Sequence, residues 1–171
     1  MSKPQVIHNS GNNEWFTPRP IIECARRVMG SIDLDPASCD KANETVKATT
    51  YYTIQHNGLE RTWHGNVWLN PPYGRALLTP FVDKLCESLP NITQACVLVN
   101  NATETQWFNK MAKRADALCL IQRRIRFDTP DGPGKGSPVQ GQIVMYFGPY
   151  NHSFSDQFSE YGLVLRQSQQ Q

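Results

Sequence analysis

Short apolar runs alternate along this chain with segments that carry helix-start signals. Val67-Trp68-Leu69, Ala95 to Val99 and Ala117 to Ile121 are too short for helices and apolar enough to be strands buried on both faces. Thr17-Pro18 offers a cap followed by a proline at the first helical position. Ile21, Ile22, Ala25, Val28 and Met29 then recur at three- and four-residue spacing until Gly30. Thr79-Pro80 repeats that signal and predicts a helix through about Ser88, and Thr103-x-x-Gln106 reads as a capping box ahead of Trp107, Phe108 and Met111. Ser31 to Asp35 reads as a short strand, Asp40 to Ala48 as a weaker helix and Thr49 to Ile54 as β-rich. Arg124 to Phe127 and Gln142 to Phe147 predict an antiparallel hairpin at one sheet edge, joined by a Gly/Pro-rich loop, with a last short helix over Phe154, Phe158 and Tyr161. This alternation implies an α/β domain with a mostly parallel sheet, whose ligands bind at the carboxyl ends of strands beside the point where strand order reverses.

Composition narrows the class. The 171 residues suit a single domain over 13–163, with a flexible N-terminus at 1–12 and a flexible tail at 164–171. With 39% hydrophobic and 10% aromatic residues the chain is not disordered as a whole. No stretch approaches about 18 consecutive apolar residues, so no membrane partner is expected. The opening MSKPQVIHNS lacks the apolar core of a secretory signal, which points to a cytoplasmic protein. The net charge of +2 neither demands nor forbids nucleic acid. Five widely spaced cysteines, with no C-x-x-C and no Cys/His cluster, argue against a disulfide framework and against a metal site.

Three segments place polar chemistry where such a sheet would use it. Asn70-Pro71-Pro72-Tyr73 directly follows the Val67-Trp68-Leu69 strand. Its prolines fix an extended turn with no N–H to donate. That leaves the Asn70 side-chain carbonyl and the Pro71 backbone carbonyl to accept protons from a planar NH2 group, with Tyr73 stacking on the ring that bears it. Two fixed acceptors favour a pyramidal nitrogen and localise its lone pair, which is stabilisation by preorganised dipoles. Asp33 and Asp35, read as ending the first strand, can meet a ligand's ammonium or hydroxyls. Trp15 can cover a flat ring, and Thr17 with the free N–H groups of the following helix can hold a carboxylate. Arg123-Arg124-x-Arg126, followed by Gly132-Pro133-Gly134-Lys135-Gly136, supplies cations and a pliable loop suited to phosphates, or else a solvated edge that discourages aggregation.

Asn70-Pro71-Pro72-Tyr73 resembles the catalytic motif of amino-group methyltransferases that use S-adenosylmethionine. The order Glu14-Trp15-x-Thr17-Pro18, Asp33-x-Asp35-x-Ala37, Gly58-Leu59 and Trp68-x-Asn70-Pro71-Pro72-Tyr73 resembles the phage-type DNA N6-adenine methyltransferases, the phage Dam family, over residues 13 to 163. That resemblance implies a Rossmann-like S-adenosylmethionine-dependent methyltransferase fold. It implies transfer of methyl by direct displacement to the exocyclic amine of a flipped adenine in double-stranded DNA, with Asn70, Pro71, Pro72 and Tyr73 as the catalytic set. Trp15, Thr17, Pro18, Asp33, Asp35, Pro36, Ala37 and Asn57 are then the expected cofactor residues, and Arg123, Arg124, Arg126 and Lys135 the DNA-binding ones. A phage or prophage origin in a bacterial host is expected, as monomer or homodimer. Two departures stand out: the turn after the first strand, Asp35-Pro36-Ala37-Ser38, has no glycine, and Asn57 stands where an acidic residue commonly meets the cofactor adenine. Methylation of an RNA adenine or a protein glutamine uses the same logic, and an inactive DNA-binding protein with this fold is the alternative outside enzymes.

Overall fold

The computed structural model describes residues 15–134 and 140–168. Seven strands form one sheet in the order β2-β1-β3-β4-β8-β5-β9. They are β1 (Leu34–Asp35), β2 (Thr50–Tyr51), β3 (Gly65–Leu69), β4 (Ile92–Asn100), β5 (Ala117–Ile121), β8 (Gln142–Phe147) and β9 (Gly162–Arg166). β1, β2, β3 and β4 pair in parallel, whereas β8 is antiparallel to both β4 and β5, and β9 is antiparallel to β5. Five of the seven strands therefore run the same way. A separate two-stranded ribbon joins β6 (Asp128–Thr129) to β7 (Gly132–Pro133).

The central strands are apolar because both faces are covered. Along β4, Cys96 and Leu98 face α1 (Arg19–Met29) and α5 (Asn151–Phe158), in one cluster with Ile22, Ala25, Phe154 and Phe158. Ala95, Val97 and Val99 face α3 (Arg75–Ser88) and α4 (Gln106–Ala112), with Val82, Leu85, Phe108 and Met111. β8 splits the same way, Val144 and Tyr146 against Ile143, Met145 and Phe147. This period-2 partition into two buried layers makes the sheet the middle of a three-layer α/β/α domain.

Several local expectations are corrected. Arg124 to Phe127 is not a strand: Ile125 and Phe127 are buried and Arg124 and Arg126 exposed, but among the described residues no neighbouring strand pairs with the segment. Its apparent partner, β8, instead inserts between β4 and β5. Residues 164–166, expected in the loose tail, lie in β9, where Leu163, Val164, Leu165 and Arg166 register against β5. α3 begins at Arg75 and carries Pro80 inside it, because Leu78, Phe81, Val82 and Leu85 continue one apolar face across the proline. α4 is capped by Thr105, whose hydroxyl accepts from the Phe108 N–H at 3.3 Å, and not by Thr103. Among the described residues, no helix is long and apolar enough to cross a membrane, and no group of three or more His, Cys, Asp or Glu could hold a metal ion.

Candidate active site

The chain reverses direction of sheet growth at β1: β2 adds on one side and β3 on the other. The carboxyl ends of β1 and β3 thus flank a switch-point crevice, the usual ligand position in such sheets. Asp35 closes β1, and Asn70 follows β3 immediately.

On the β1 side, Asp35 is only 3% exposed. Its Oδ1 accepts from the Ala37 N–H at 3.2 Å. Burial pushes its carboxyl from 3.8 up to about 7, against the opposing pull of the Ala37 N–H and the Ser38 hydroxyl. No cation pairs with it among the described residues. The loop carrying Asn57 docks on this turn: a Cβ on Gly58 would lie 2.0 Å from the Pro36 carbonyl oxygen, so only glycine permits the approach. Trp63 fixes the same loop by donating its indole N–H to the Gly58 carbonyl at 2.8 Å. Asn57 itself adopts a left-handed conformation at φ 49 and caps the short turn Gly58–Glu60 without its side chain. Asp35, Pro36, Ala37 and Asn57 are therefore brought together.

On the β3 side, Asn70 Nδ2 donates to Thr17 Oγ1 at 3.2 Å and to the Trp15 carbonyl at 3.4 Å. Thr17, 6% exposed, is spent on this contact and does not cap α1; Pro18 occupies the cap position, one residue before the helix. Asn70 Oδ1 accepts from the Tyr73 hydroxyl at 3.0 Å. That hydroxyl also lies 3.2 Å from Gln142 Oε1 and 3.4 Å from the Leu98 carbonyl. Tyr73 thus points its hydroxyl inward across β4 toward β8, and burial pushes its phenol up, keeping it a proton donor. Trp15 is 42% exposed and meets Phe127 edge-on at 6.4 Å.

Asp33 is not part of this group. It precedes β1, and its carboxylate accepts from the Asn66 N–H and the Ser31 hydroxyl, each at 2.8 Å. Asn66 lies near the start of β3, about 13 Å from Asn70 at strand rise. The carboxylate is a clip between the two strands, and a Cβ on Gly65 would strike it at 2.5 Å.

The arginines share the site's end of the sheet. β5 runs in the same direction as β1 and β3, so the loop after Ile121 emerges where Asn70 does. Phe16 and Asp128 exchange backbone hydrogen bonds at 2.8 and 2.9 Å, which seats Trp15 against this loop. Arg123, Arg124 and Arg126 are all exposed, with Arg124 beside Gly141. Lys135 lies outside the described residues.

Two residues of the site were missed in the sequence. Gln142 is 4% exposed at the start of β8, and its Nε2 donates to Asn100 Oδ1 at 2.6 Å. The two are direct cross-strand partners. A polar residue closing an apolar strand, as Asn100 closes β4, is the signal that could have found them.

The chain is similar to known proteins over most of its length. The family model for DNA N-6-adenine-methyltransferase (Dam) matches residues 5–163. A DNA N-6-adenine-methyltransferase of Escherichia phage T1 is 32% identical over 136 residues, covering 78% of this chain. The chain spans about half the length of that curated relative, 54% of it. With a family match over nearly its whole length, the chain belongs to the DNA N-6-adenine-methyltransferase (Dam) family.

Proposed function

We propose that this protein transfers a methyl group from S-adenosylmethionine to the N6 amine of an adenine flipped out of double-stranded DNA. One observation carries the reading: the Asn70 side-chain oxygen, at the end of β3, holds nothing among the described residues but the hydroxyl of its own motif tyrosine. A flipped base exchanges its amine for that hydroxyl, and the released Tyr73 ring is free to stack on the base. Asn70 Oδ1 and the Pro71 carbonyl then hold the amine protons so that the nitrogen lone pair faces the cofactor. Asn70 keeps its orientation because its Nδ2 is tied to Thr17 and Trp15.

The residues of the β1 side fit the cofactor. A buried carboxylate with one backbone donor and no cationic partner among the described residues suits an ammonium or a pair of ribose hydroxyls. Bound there, S-adenosylmethionine supplies an electrophilic methyl on a sulfonium centre. Asp35 accepts from its polar groups, Asn57 lies within the same turn cluster to meet the adenine, and Trp15 offers an exposed ring as cover. Asp33 belongs to the β1–β3 clip and has no part in this set. Arg123, Arg124 and Arg126 grip phosphate on the rim, with Lys135 as a fourth cation of the same loop.

The test offers three acceptors side by side: plasmid DNA, transcribed RNA and a glutamine-rich protein, each with methyl-labelled cofactor. Label in DNA alone supports the proposal. Label in RNA or protein, or cofactor binding without any transfer, moves the chain to another substrate or to a binding role.

A further inference from the structure

The Tyr73 hydroxyl carries one proton, yet three acceptors converge on it: Asn70 Oδ1 at 3.0 Å, Gln142 Oε1 at 3.2 Å and the Leu98 carbonyl at 3.4 Å. A hydroxyl can serve only one of them at a time. Leaving acceptors short of protons in a buried place is costly, so the hole is better matched to a group with two protons. An exocyclic NH2 is such a group. We propose that Gln142 is a further acceptor for the target amine: Asn70 takes one proton, Gln142 shares the other with the Pro71 carbonyl, and Tyr73 plugs this cradle when no base is bound. This rests on the amine-methylation reading above and adds a residue to it from a different part of the chain.

Gln142 is built to aim an oxygen. A glutamine amide left alone presents its oxygen and its nitrogen equally. Here Nε2 is committed to Asn100 Oδ1 at 2.6 Å, which turns Oε1 toward Tyr73. The pair is held by β4–β8 register, Asn100 opposite Gln142, and both sit at the strand ends that face the crevice. Three adjacent strands thus contribute: Asn70 from the end of β3, Asn100 from the end of β4 and Gln142 from the start of β8. Once the ring of Tyr73 leaves, the two side-chain oxygens bracket the place its hydroxyl held.

The experiment reads the amine directly. A duplex carrying the site that the wild-type protein methylates is compared with the same duplex bearing purine, which lacks the amine, at the target position. Affinities are measured by fluorescence anisotropy for wild type and for Gln142→Met, with melting temperature as the control for folding. The adenine-over-purine preference should fall about fivefold in Gln142→Met, the worth of one hydrogen bond near 1 kcal/mol, and kcat should fall more than KM rises. A role in packing alone weakens both duplexes equally, and an unchanged preference overturns the inference. Gln142→Glu keeps an acceptor oxygen, with the Asn100 amide turned over to donate to the other, and should hold the preference within about twofold. Should Gln142→Met fail to fold, loss of the preference in a well-folded Gln142→Glu overturns the inference equally. A wild-type protein that methylates no DNA adenine removes the amine-methylation reading itself, a failure visible before any variant is made.

Discussion

On the proposed assignment, Asp35 should make folding and cofactor binding respond to pH in opposite senses. In the folded protein burial lifts its carboxyl to about 7, whereas the unfolded chain ionises it near 3.8. A gap of about three pH units corresponds to at most roughly 4 kcal/mol. The folded state keeps the proton where the unfolded state has lost it. The contribution is therefore fully present below 3.8 and is lost progressively as pH rises through 7. Asp35→Asn removes the titration and keeps an oxygen for the Ala37 N–H. Denaturant midpoints taken from pH 4 to pH 8 should show the wild type losing stability relative to Asp35→Asn across that window, with little further change above it. Cofactor affinity should do the reverse in the wild type. The ionised carboxylate is the form that meets an ammonium or hydroxyls, so calorimetry should show S-adenosylmethionine binding more tightly as pH rises toward 7, with proton uptake by the buffer at acid pH. Parallel stability profiles for the two proteins, or cofactor affinity indifferent to both pH and Asp35→Asn, would remove Asp35 from the cofactor site.

Three other outcomes follow from the geometry. Asn70→Ala should cut turnover by about 10²–10³ while calorimetric cofactor affinity survives, because the lost oxygen acts on the amine. Gly58→Ala forces a Cβ to within 2.0 Å of the Pro36 carbonyl oxygen, so it should destabilise by about 1–3 kcal/mol in thermal melts and weaken cofactor binding together. Arg124→Ala should flatten the plot of log DNA affinity against log salt by about one unit, equally for target and scrambled duplexes. A change confined to one base position would make Arg124 a reader of sequence.

The architecture was legible wherever a signal was local and unshared. The apolar runs at β3, β4, β5 and β8 had to be strands, and the α1 stripe Ile21, Ile22, Ala25, Val28 and Met29 had to face a core. The Asn-Pro-Pro-Tyr turn fell at a strand end because prolines after an apolar run leave few other places. Reading failed where a residue's partner lay far along the chain. Thr17 looks like a cap until Asn70, 53 residues away in sequence, takes its hydroxyl. Asp33 and Asp35 look equivalent in sequence, but a two-residue strand puts Asp33 at the β3 start and Asp35 at the crevice. Arg124 to Phe127 alternates like a strand, yet alternation specifies burial of Ile125 and Phe127 and not a pairing partner. The insertion of β8 between β4 and β5 is a matter of topology, and with it came Gln142, which no local pattern sets beside Asn70.

The proposed reaction puts methyl on the N6 nitrogen of adenine in DNA. Purified protein is incubated with methyl-tritiated S-adenosylmethionine and plasmid DNA, and the DNA is digested to nucleosides and separated by chromatography, wild type beside Asn70→Ala. The predicted result is label in N6-methyl-2′-deoxyadenosine alone for the wild type, and almost none for the variant. Label in a cytosine nucleoside, undiminished label with Asn70→Ala, or no label from a protein that binds the cofactor would contradict it.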